Sequence, residues 1–389
     1  MLIEMPRRTE IFGSVKINEL QRVLKLDSGG FTNPRAKDIP FEELKKVLRR
    51  LAIIIPVKDE SIQLLDGVLR SIPFDCSIIV VSNSEREKHD LYKMEKDIIA
   101  KLHDLTQQEI LGIHQKDPDL GFAFYEAGYD YLLDKDNLVR DGKSEGMIAG
   151  MLLAKSLGKD FIGFADADNY VPGSVREYVL DYAAGFCMSD SPYSMVRLHW
   201  RYKPKVIEDR LYFKKWGRVS ESTNKYLNLL LSTSTGFETG VVITGNAGEH
   251  ALTTKLADIM NYSTGFSIEP YQFVYLLDVF GQKAKEILDL DVASSGIEIF
   301  QIETLNPHIH EEKGEEHIKN MLLSSLSTIY HSKLCNDYVK SKVLDELKEL
   351  LETWEMPGEN IVMPPIGGID ANKFTKLLEG QSETFVRFE

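Results

Sequence analysis

Leu51-Ala-Ile-Ile-Ile-Pro-Val57 is the stretch of sequence that decides the fold. It is an unbroken apolar run of strand length, and the charged helical segment Phe41 to Arg50 leads directly into it. A strand that is apolar on both of its faces is typical of a parallel sheet with helices packed on each side. The stretch therefore predicts a buried parallel strand near the centre of an α/β domain.

The same pattern of apolar strand and amphipathic helix recurs along the chain after this stretch. Further strands are predicted at Ser77–Val81, Glu109–His114 and Asp160–Ala165, and helices at Glu85–Leu105 and Gly146–Leu157. Alternating strands and helices predict a Rossmann-like, doubly wound α/β sheet. Ligands of such sheets bind at the carboxyl ends of the strands, so the polar loops that follow each strand are the candidate site.

The pattern continues less regularly toward the C-terminus. Met195–Trp200 and Thr239–Thr244 are predicted strands, and the second runs through a Gly-rich turn into a predicted helix at Glu249–Met260. Beyond this point the sequence is mainly helical, with a long amphipathic helix at Glu315–Lys333. We therefore predict two regions, a nucleotide-binding domain at 1–260 and a smaller C-terminal region at 261–389.

Composition narrows the function classes. The 389 residues carry 46 Lys and Arg against 60 Asp and Glu, a net charge of −14, which disfavours nucleic acid and anionic membranes as partners. Residues 1–9 are charged where a secretion signal is apolar, and no apolar stretch is long enough to span a bilayer. The expectation is a cytoplasmic protein whose anionic ligands meet a local cluster of cations.

Asp166-Ala-Asp168 is the strongest chemical signal. Other Asp-x-Asp triplets occur at Asp117, Asp134 and Asp289, but Asp166 directly follows a glycine-containing apolar strand. Paired carboxylates at such a strand end suit a divalent cation that also binds phosphate oxygens. The alternative is a pair of aspartates that cap the following turn or helix.

Four other segments carry polar groups suited to a nucleotide or a metal. Pro56–Glu60 and Ser82–Ser84 follow two predicted strands, and Arg140–Met147 places two cations and two glycines at a helix start. His308 and His310 alternate on an extended segment, which turns both imidazoles to one side. Ordinary turns, a solvated helix start and surface histidines are the alternatives.

Together these segments resemble the GT-A class of nucleotide-sugar glycosyltransferases, and over nearly the whole chain the mannosyl-3-phosphoglycerate synthase family. The stretches that carry the resemblance are Pro56–Glu60, Ile79–Ser84, Gly163–Tyr170, Phe213–Ser220, Ile243–His250, Ser263–Pro270 and Glu303–His308. The resemblance implies transfer of mannose from GDP-mannose to 3-phosphoglycerate, with retention at the anomeric carbon. The product is the precursor of mannosylglycerate, a compatible solute. A divalent cation is implied, with Mg²⁺ expected and Mn²⁺, Co²⁺ or Zn²⁺ as alternatives.

The resemblance also implies roles for individual residues. It makes Asp168 and His308 the metal ligands, with Asp166 and Glu269 beside them as catalytic residues. The nucleotide-sugar contacts that it implies are Pro56, Val57, Lys58, Asp59, Glu60, Ser82, Asn83, Ser84, Arg140, Lys143, Asp166, Ala167, Asp168 and Glu269. The acceptor contacts that it implies are Gly217, Arg218, Ser220, Asn246 and His310.

Three alternatives stay open from the sequence. One is a non-catalytic sugar-nucleotide-binding module, which would not need Asp168 and His308 together with an acceptor-phosphate loop. The other two are enzymes. Glucosyl-3-phosphoglycerate synthase shares the acceptor and the metal site but uses another donor. A metal-dependent nucleotidyltransferase also uses paired aspartates on a similar sheet, yet it is expected to carry a Gly-rich signature where Pro56–Glu60 stands. The sequence is compatible with a homodimer and does not decide the oligomeric state.

Overall fold

The fold is taken from a computed structural model of the chain. It describes residues 1–20, 23–25, 36–200, 203–208, 210–214, 218–281, 290–311, 314–351 and 356–389. Within these ranges, no helix combines the length and the apolar character that crossing a membrane requires.

A ten-stranded mixed sheet forms the centre of the molecule. The strands of this sheet and of the smaller sheets are, in chain order, β1 Leu2–Glu4, β2 Arg8–Phe12, β3 Val15–Leu20, β4 Val23–Lys25, β5 Ala36–Asp38, β6 Leu51–Val57, β7 Ser77–Ser82, β8 Ile110–His114, β9 Phe161–Phe164, β10 Tyr193–His199, β11 Lys203–Ile207, β12 Arg210–Lys214, β13 His250–Thr253, β14 Tyr262–Ser263, β15 Ile297–Glu303, β16 His310–Glu311, β17 Val362–Met363 and β18 Val386–Phe388. The order across the main sheet is β18-β8-β7-β6-β9-β13-β10-β15-β3-β2. β13, β2 and β18 run antiparallel to their neighbours, and the other pairings are parallel.

Helices cover both faces of this sheet. They are α1 Phe41–Leu48, α2 Ile62–Ser71, α3 Leu91–Thr106, α4 Pro118–Glu126, α5 Lys143–Ser156, α6 Pro172–Met188, α7 Arg218–Thr235, α8 Thr254–Ile259, α9 Ile268–Phe280, α10 Leu290–Ser295, α11 Glu315–Tyr330, α12 Asp337–Leu350 and α13 Ala371–Gln381. The predicted α/β class is confirmed.

β6 occupies the predicted bounds and lies between β7 and β9, parallel to both, with Ile53 opposite Ile78 and Gly163. Its side chains alternate between two cores: Ile54 packs on the face covered by α5, and Ile53 packs on the face covered by α6. Burial on both faces explains why the run is apolar without alternation.

One predicted helix begins later than expected. The sequence predicts helix from Glu85, but α3 begins at Leu91 because the side chain of Asp90 accepts a hydrogen bond from the backbone N–H of Lys93. Such a cap fixes a helix start. Residues 85–90 form part of the loop beyond β7 instead.

The predicted strand Thr239–Thr244 is wrong, because this segment has no regular secondary structure. Side-chain amides take the place of a neighbouring strand: Val242 N–H donates to Asn228 Oδ1 over 2.9 Å, and Ile243 N–H donates to Gln301 Oε1 over 2.9 Å. Nδ2 of Asn228 and Nε2 of Gln301 in turn donate to carbonyls of the segment. The apolar sequence correctly indicates that this segment is buried, but its backbone is hydrogen-bonded by side chains and not by a neighbouring strand.

The predicted helix Glu249–Met260 is also wrong at its start. His250–Thr253 forms β13, which enters the sheet antiparallel between β9 and β10. The helix, α8, begins only at Thr254, where the hydroxyl of Thr253 accepts from the N–H of Leu256. Insertion into the sheet prevails over local helical propensity.

Residues beyond Met260 complete the main sheet as well as adding helices. β15 pairs with β10 and β3, and β18 covers the edge strand β8. The division into regions at 1–260 and 261–389 stays a prediction.

Candidate active site

The loops that follow β6 and β7 are joined to each other at the carboxyl edge of the sheet. Asp59, which has a left-handed backbone φ of 58°, donates its N–H to Ser84 Oγ over 2.9 Å and accepts from the N–H of Glu85 over 2.7 Å. Ser82 and Ser84 are buried beneath the loop, whereas Lys58 and Asp59 are exposed. The two predicted nucleotide-binding loops therefore form one rigid edge.

The start of α5 lies against this edge. Asn83 Nδ2 donates to the carboxylate of Asp141 over 2.9 Å, two residues before Lys143 begins the helix. Of the two predicted cations, Arg140 pairs with the buried carboxylate of Glu145, at 3.7 Å. Lys143 instead reaches the residues that follow β9.

Lys143 bridges two of the predicted catalytic carboxylates. Its Nζ lies 2.8 Å from Oδ1 of Asp166 and 3.1 Å from Oε1 of Glu269. Burial opposes the charge of Lys143, but these two carboxylates outweigh it and raise the pKa of the ammonium. Burial likewise disfavours the charged form of Asp166, and Lys143 outweighs it, so the pKa of Asp166 is lowered. Lys143 and Asp166 are therefore held in their charged forms.

A buried arginine fixes the backbone of Glu269. The guanidinium of Arg197 is fully buried and donates to the carbonyl of Glu269 over 3.0 Å, to the carbonyl of Thr244 over 3.0 Å and to Gln272 Oε1 over 2.5 Å. Burial lowers the pKa of Arg197 to about 9, against the attraction of Glu269. The start of α9 and the loop before Gly245 are thus tied to β10.

His308 lies between two carboxylates. Its Nε2 is 3.2 Å from Oδ1 of Asp168, and its Nδ1 is 2.5 Å from Oε1 of Glu249. Burial alone would lower the pKa of this imidazole, but Glu249 and Asp168 outweigh it and raise the pKa to about 10. The structure thus brings the two predicted metal ligands into contact.

Helix α6 holds the loop that carries His308. The buried carboxylate of Glu177 accepts hydrogen bonds from the backbone N–H of Leu305 and, over 2.9 Å, from that of Asn306. Asn306 Nδ2 donates to the same carboxylate over 2.6 Å. The hydroxyl of Ser174 adds a hydrogen bond to the carbonyl of Pro307 over 3.2 Å. The position of His308 is therefore set by the fold.

The geometry fits a divalent cation. Ligand atoms of Asp166, Glu249 and His308 lie within 4.8 Å of one another. Nε2 of His308 is buried and makes no hydrogen bond of good geometry with the described residues, although Asp168 is close. A buried imidazole nitrogen that faces carboxylates without a satisfactory hydrogen bond is a suitable metal ligand.

The predicted acceptor residues are only partly described. The rings of His310 and His308 are 5.0 Å apart, as their spacing predicts, and Asn246 Nδ2 donates to Ser325 Oγ over 2.8 Å. Arg218 is the first residue of α7 and Ser220 lies in its first turn. Gly217 and the side chain of Arg218 lie outside the described residues.

Sequence reasoning missed Glu249, Arg197 and Glu177. Glu249 lies within the family-like segment Ile243–His250, but the sequence placed it at a helix start, where an acidic residue is ordinary. Arg197 lies within a predicted strand and Glu177 within a helix, and neither position has a local signal of function.

Comparisons with known proteins identify the family of the chain. Residues 5–378 match the family described as mannosyl-3-phosphoglycerate synthase. The mannosyl-3-phosphoglycerate synthase of Pyrococcus furiosus is 53% identical over 392 residues, covering 100% of both chains, and that of Aeropyrum pernix is 39% identical, covering 99% of each. A crystal structure of glucosyl-3-phosphoglycerate synthase from Mycobacterium tuberculosis with Mn²⁺, uridine diphosphate and glucosyl-3-phosphoglycerate shares the fold, with a TM-score of 0.50 and 16% identity over 80% of this chain and 89% of that chain. The extent of these matches shows that the chain belongs to the mannosyl-3-phosphoglycerate synthase family.

Proposed function

We propose that the protein transfers mannose from GDP-mannose to 3-phosphoglycerate, giving mannosyl-3-phosphoglycerate and GDP. The observation that carries the proposal is the cluster of Lys143, Asp166, Asp168 and His308 at the carboxyl edge of the sheet. It occurs in a chain that belongs to the family over nearly its whole length.

Asp168 and His308 are the proposed ligands of a divalent cation, with Mg²⁺ as the expected ion. When bound, the cation supplies stabilisation of the negative charge that develops on the departing diphosphate. The buried position of His308 and its contact with Asp168 support this assignment.

The remaining residues bind and orient the donor. The exposed side chains of Lys58 and Asp59, the half-buried Glu60 and the adjoining loop at Ser82–Ser84 are proposed to bind the nucleoside of GDP. Glu269 is proposed to accept hydrogen bonds from the hydroxyls of mannose, and Lys143 and Arg197 hold it in place. Glu269 is therefore in place before the donor binds.

The reaction exchanges one bond to the anomeric carbon of mannose for another. The bond from this carbon to the diphosphate oxygen breaks, the hydroxyl oxygen of 3-phosphoglycerate forms the new bond, and its proton passes to the departing diphosphate. Asp166 and Glu269 are both ion-paired with Lys143, which lowers their reactivity as nucleophiles. Attack from the face that the diphosphate leaves, with retention, is therefore favoured over a double displacement.

A donor panel tests the function. The protein is incubated with Mg²⁺, 3-phosphoglycerate and one of GDP-mannose, GDP-glucose or UDP-glucose, and release of nucleoside diphosphate is measured. GDP-mannose is expected to give the highest kcat/KM. A preference for UDP-glucose would contradict the proposal and identify a glucosyltransferase.

Arg218→Ala tests the acceptor site. Arg218 begins α7, where the helix dipole also favours an anion. Loss of a charge-assisted hydrogen bond to phosphate costs about 1.5–3 kcal/mol, so the KM for 3-phosphoglycerate is expected to rise at least about tenfold. The KM for GDP-mannose is expected to change little.

Two further variants sharpen the test of Arg218. Arg218→Lys is expected to restore acceptor binding only in part, because an ammonium lacks the planar fork. Lys225→Ala removes a cation from the same helix that is paired with Glu346, and it serves as the control. Unchanged acceptor KM in Arg218→Ala would rule out this role.

Gly248→Ala tests how tightly the catalytic groups are packed. A Cβ at this position would lie 2.9 Å from Oδ2 of Asp166 and 3.2 Å from Nζ of Lys143, so both groups must shift. We expect kcat/KM to fall about tenfold or more, since small displacements of catalytic groups are costly. The melting temperature is expected to stay close to that of the parent.

The control for Gly248→Ala is Gly380→Ala in α13, where a Cβ meets no atom within 4 Å. Activity and stability are measured for both variants. If Gly248→Ala retains full activity, the packing of Asp166 and Lys143 against this glycine has no catalytic importance.

A further inference from the structure

Glu249 has a buried carboxylate, 3% exposed, that lies beside His308 and outside the residues assigned so far to substrate. Its Oε1 is 2.5 Å from Nδ1 of the imidazole, on the opposite side of the ring from Asp168. We propose that Glu249 is a positioning residue that holds the proton of His308 on Nδ1 and leaves the Nε2 lone pair for the cation. The inference rests on the proposed metal site.

The chemistry of imidazole makes this assignment specific. A cation binds the neutral form of imidazole and displaces the second proton that His308 carries without it. The neutral ring has one N–H donor and one nitrogen lone pair, and the acceptor beside one nitrogen decides which nitrogen carries the proton. An ionised carboxylate has no proton to donate, so Glu249 accepts the hydrogen bond and Nδ1 of His308 donates it. Histidines that bind metals commonly donate their second nitrogen to a carboxylate, which fixes the ring and strengthens the ligand.

The surroundings of Glu249 and His308 keep both side chains in this arrangement. The carbonyl of Glu249 accepts from the N–H of Leu198 over 3.1 Å, which ties it to β10. The rings of Trp200 and His310 meet the His308 ring edge-on, at 5.7 and 5.0 Å. A half-turn of the imidazole would place ring carbons beside Glu249 and Asp168, so the two carboxylates favour the observed orientation.

The alternative role for Glu249 is that of a direct metal ligand. Its carboxylate lies within 4.8 Å of ligand atoms of Asp166 and His308. The hydrogen-bond distance to Nδ1 favours the positioning role, because that oxygen is occupied by the imidazole. Substitution by glutamine distinguishes the positioning role from direct ligation. The amide oxygen of glutamine still accepts a hydrogen bond from Nδ1, but it lacks the negative charge that a hard cation prefers in a ligand.

The experiment measures Mn²⁺ binding to the full chain without substrates, from the electron paramagnetic resonance signal of free Mn²⁺. Glu249→Ala is expected to raise the Kd for Mn²⁺ by about ten- to a hundred-fold, and Glu249→Gln by less than about threefold. Glu298→Ala removes a buried carboxylate that pairs with Lys16, and it is the control with an unchanged Kd. Circular dichroism verifies that each variant is folded.

Nitrogen-15 NMR of the histidines with diamagnetic Zn²⁺ bound gives a second readout. The signals of His308 are assigned by their absence in His308→Ala. Zn²⁺ bound to Nε2, with the proton on Nδ1, is expected in the parent and in Glu249→Gln, whereas in Glu249→Ala a share of His308 is expected to stay unbound or to bind through Nδ1 at the same Zn²⁺ concentration. Complete Nε2 coordination in Glu249→Ala, equal to that of the parent, would overturn the positioning role.

The outcomes separate this inference from the proposed function. Weak Mn²⁺ binding by His308→Ala together with unchanged binding by Glu249→Ala would overturn the positioning role alone. Equal losses in Glu249→Ala and Glu249→Gln would also overturn it, in favour of direct ligation. Unchanged binding by His308→Ala would overturn the metal site on which the inference rests.

Discussion

Asp168→Ala and His308→Ala are each expected to lower kcat for mannosyl transfer by roughly a thousand-fold, equivalent to about 4 kcal/mol. Each change removes one of two groups that lie 3.2 Å apart at the proposed cation site. The remaining residues then hold the cation too weakly to neutralise the diphosphate. Removal of divalent cations with EDTA is expected to abolish turnover of the parent, and added Mg²⁺ to restore it.

Steady-state rates with saturating substrates and Mg²⁺ check this expectation. Asp136→Ala alters the second aspartate of another Asp-x-Asp triplet, which is exposed, and it serves as the control with parent activity. Turnover that survives exhaustive chelation, or that stays within a few-fold of the parent in both site variants, would contradict the metal assignment.

Lys143→Met is expected to lower kcat/KM by at least about a hundred-fold. The substitution keeps an unbranched side chain but leaves Asp166 and Glu269 without the cation that both contact. Removal of one partner costs about 3–5 kcal/mol in a fully buried ion pair and less in a half-buried one, but here two carboxylates lose the same cation. The two carboxylates must then separate or bind protons, and both changes disturb the donor site.

Lys155→Met is the matched control, because it lies on the same helix and its Nζ pairs with Asp258 at 2.5 Å. Twelve residues of helix place it about 18 Å from Lys143. We expect Lys155→Met to lower the melting temperature without changing kcat/KM. Equal kcat/KM in the two variants would show that Lys143 contributes to the stability of the fold and not to the donor site.

The strands at the centre of the fold could be predicted from the sequence because their burial leaves a local signature. Leu51–Val57 is apolar at nearly every position since helices cover both faces of the sheet, and its bounds are confirmed. Thr239–Thr244 carries a similar signature but is hydrogen-bonded by side-chain amides from distant residues. No local pattern distinguishes these two ways of satisfying a buried backbone.

Site residues that directly follow a strand could be predicted from the sequence. Site residues that meet only through packing between distant segments could not. Asp166, Asp168 and His308 were found by position and by resemblance to the family. Glu249 precedes β13, a strand without a local sequence signal, because its pairing partners β9 and β10 are remote in the chain. Its contact with His308 depends on that pairing.

A crystal structure of the protein with Mn²⁺ and GDP, analysed by anomalous scattering at the manganese edge, tests the metal site most directly. We expect an anomalous peak bonded to a carboxylate oxygen of Asp168, to Nε2 of His308 and to diphosphate oxygens of GDP. A peak bonded to GDP but to neither Asp168 nor His308 would contradict it.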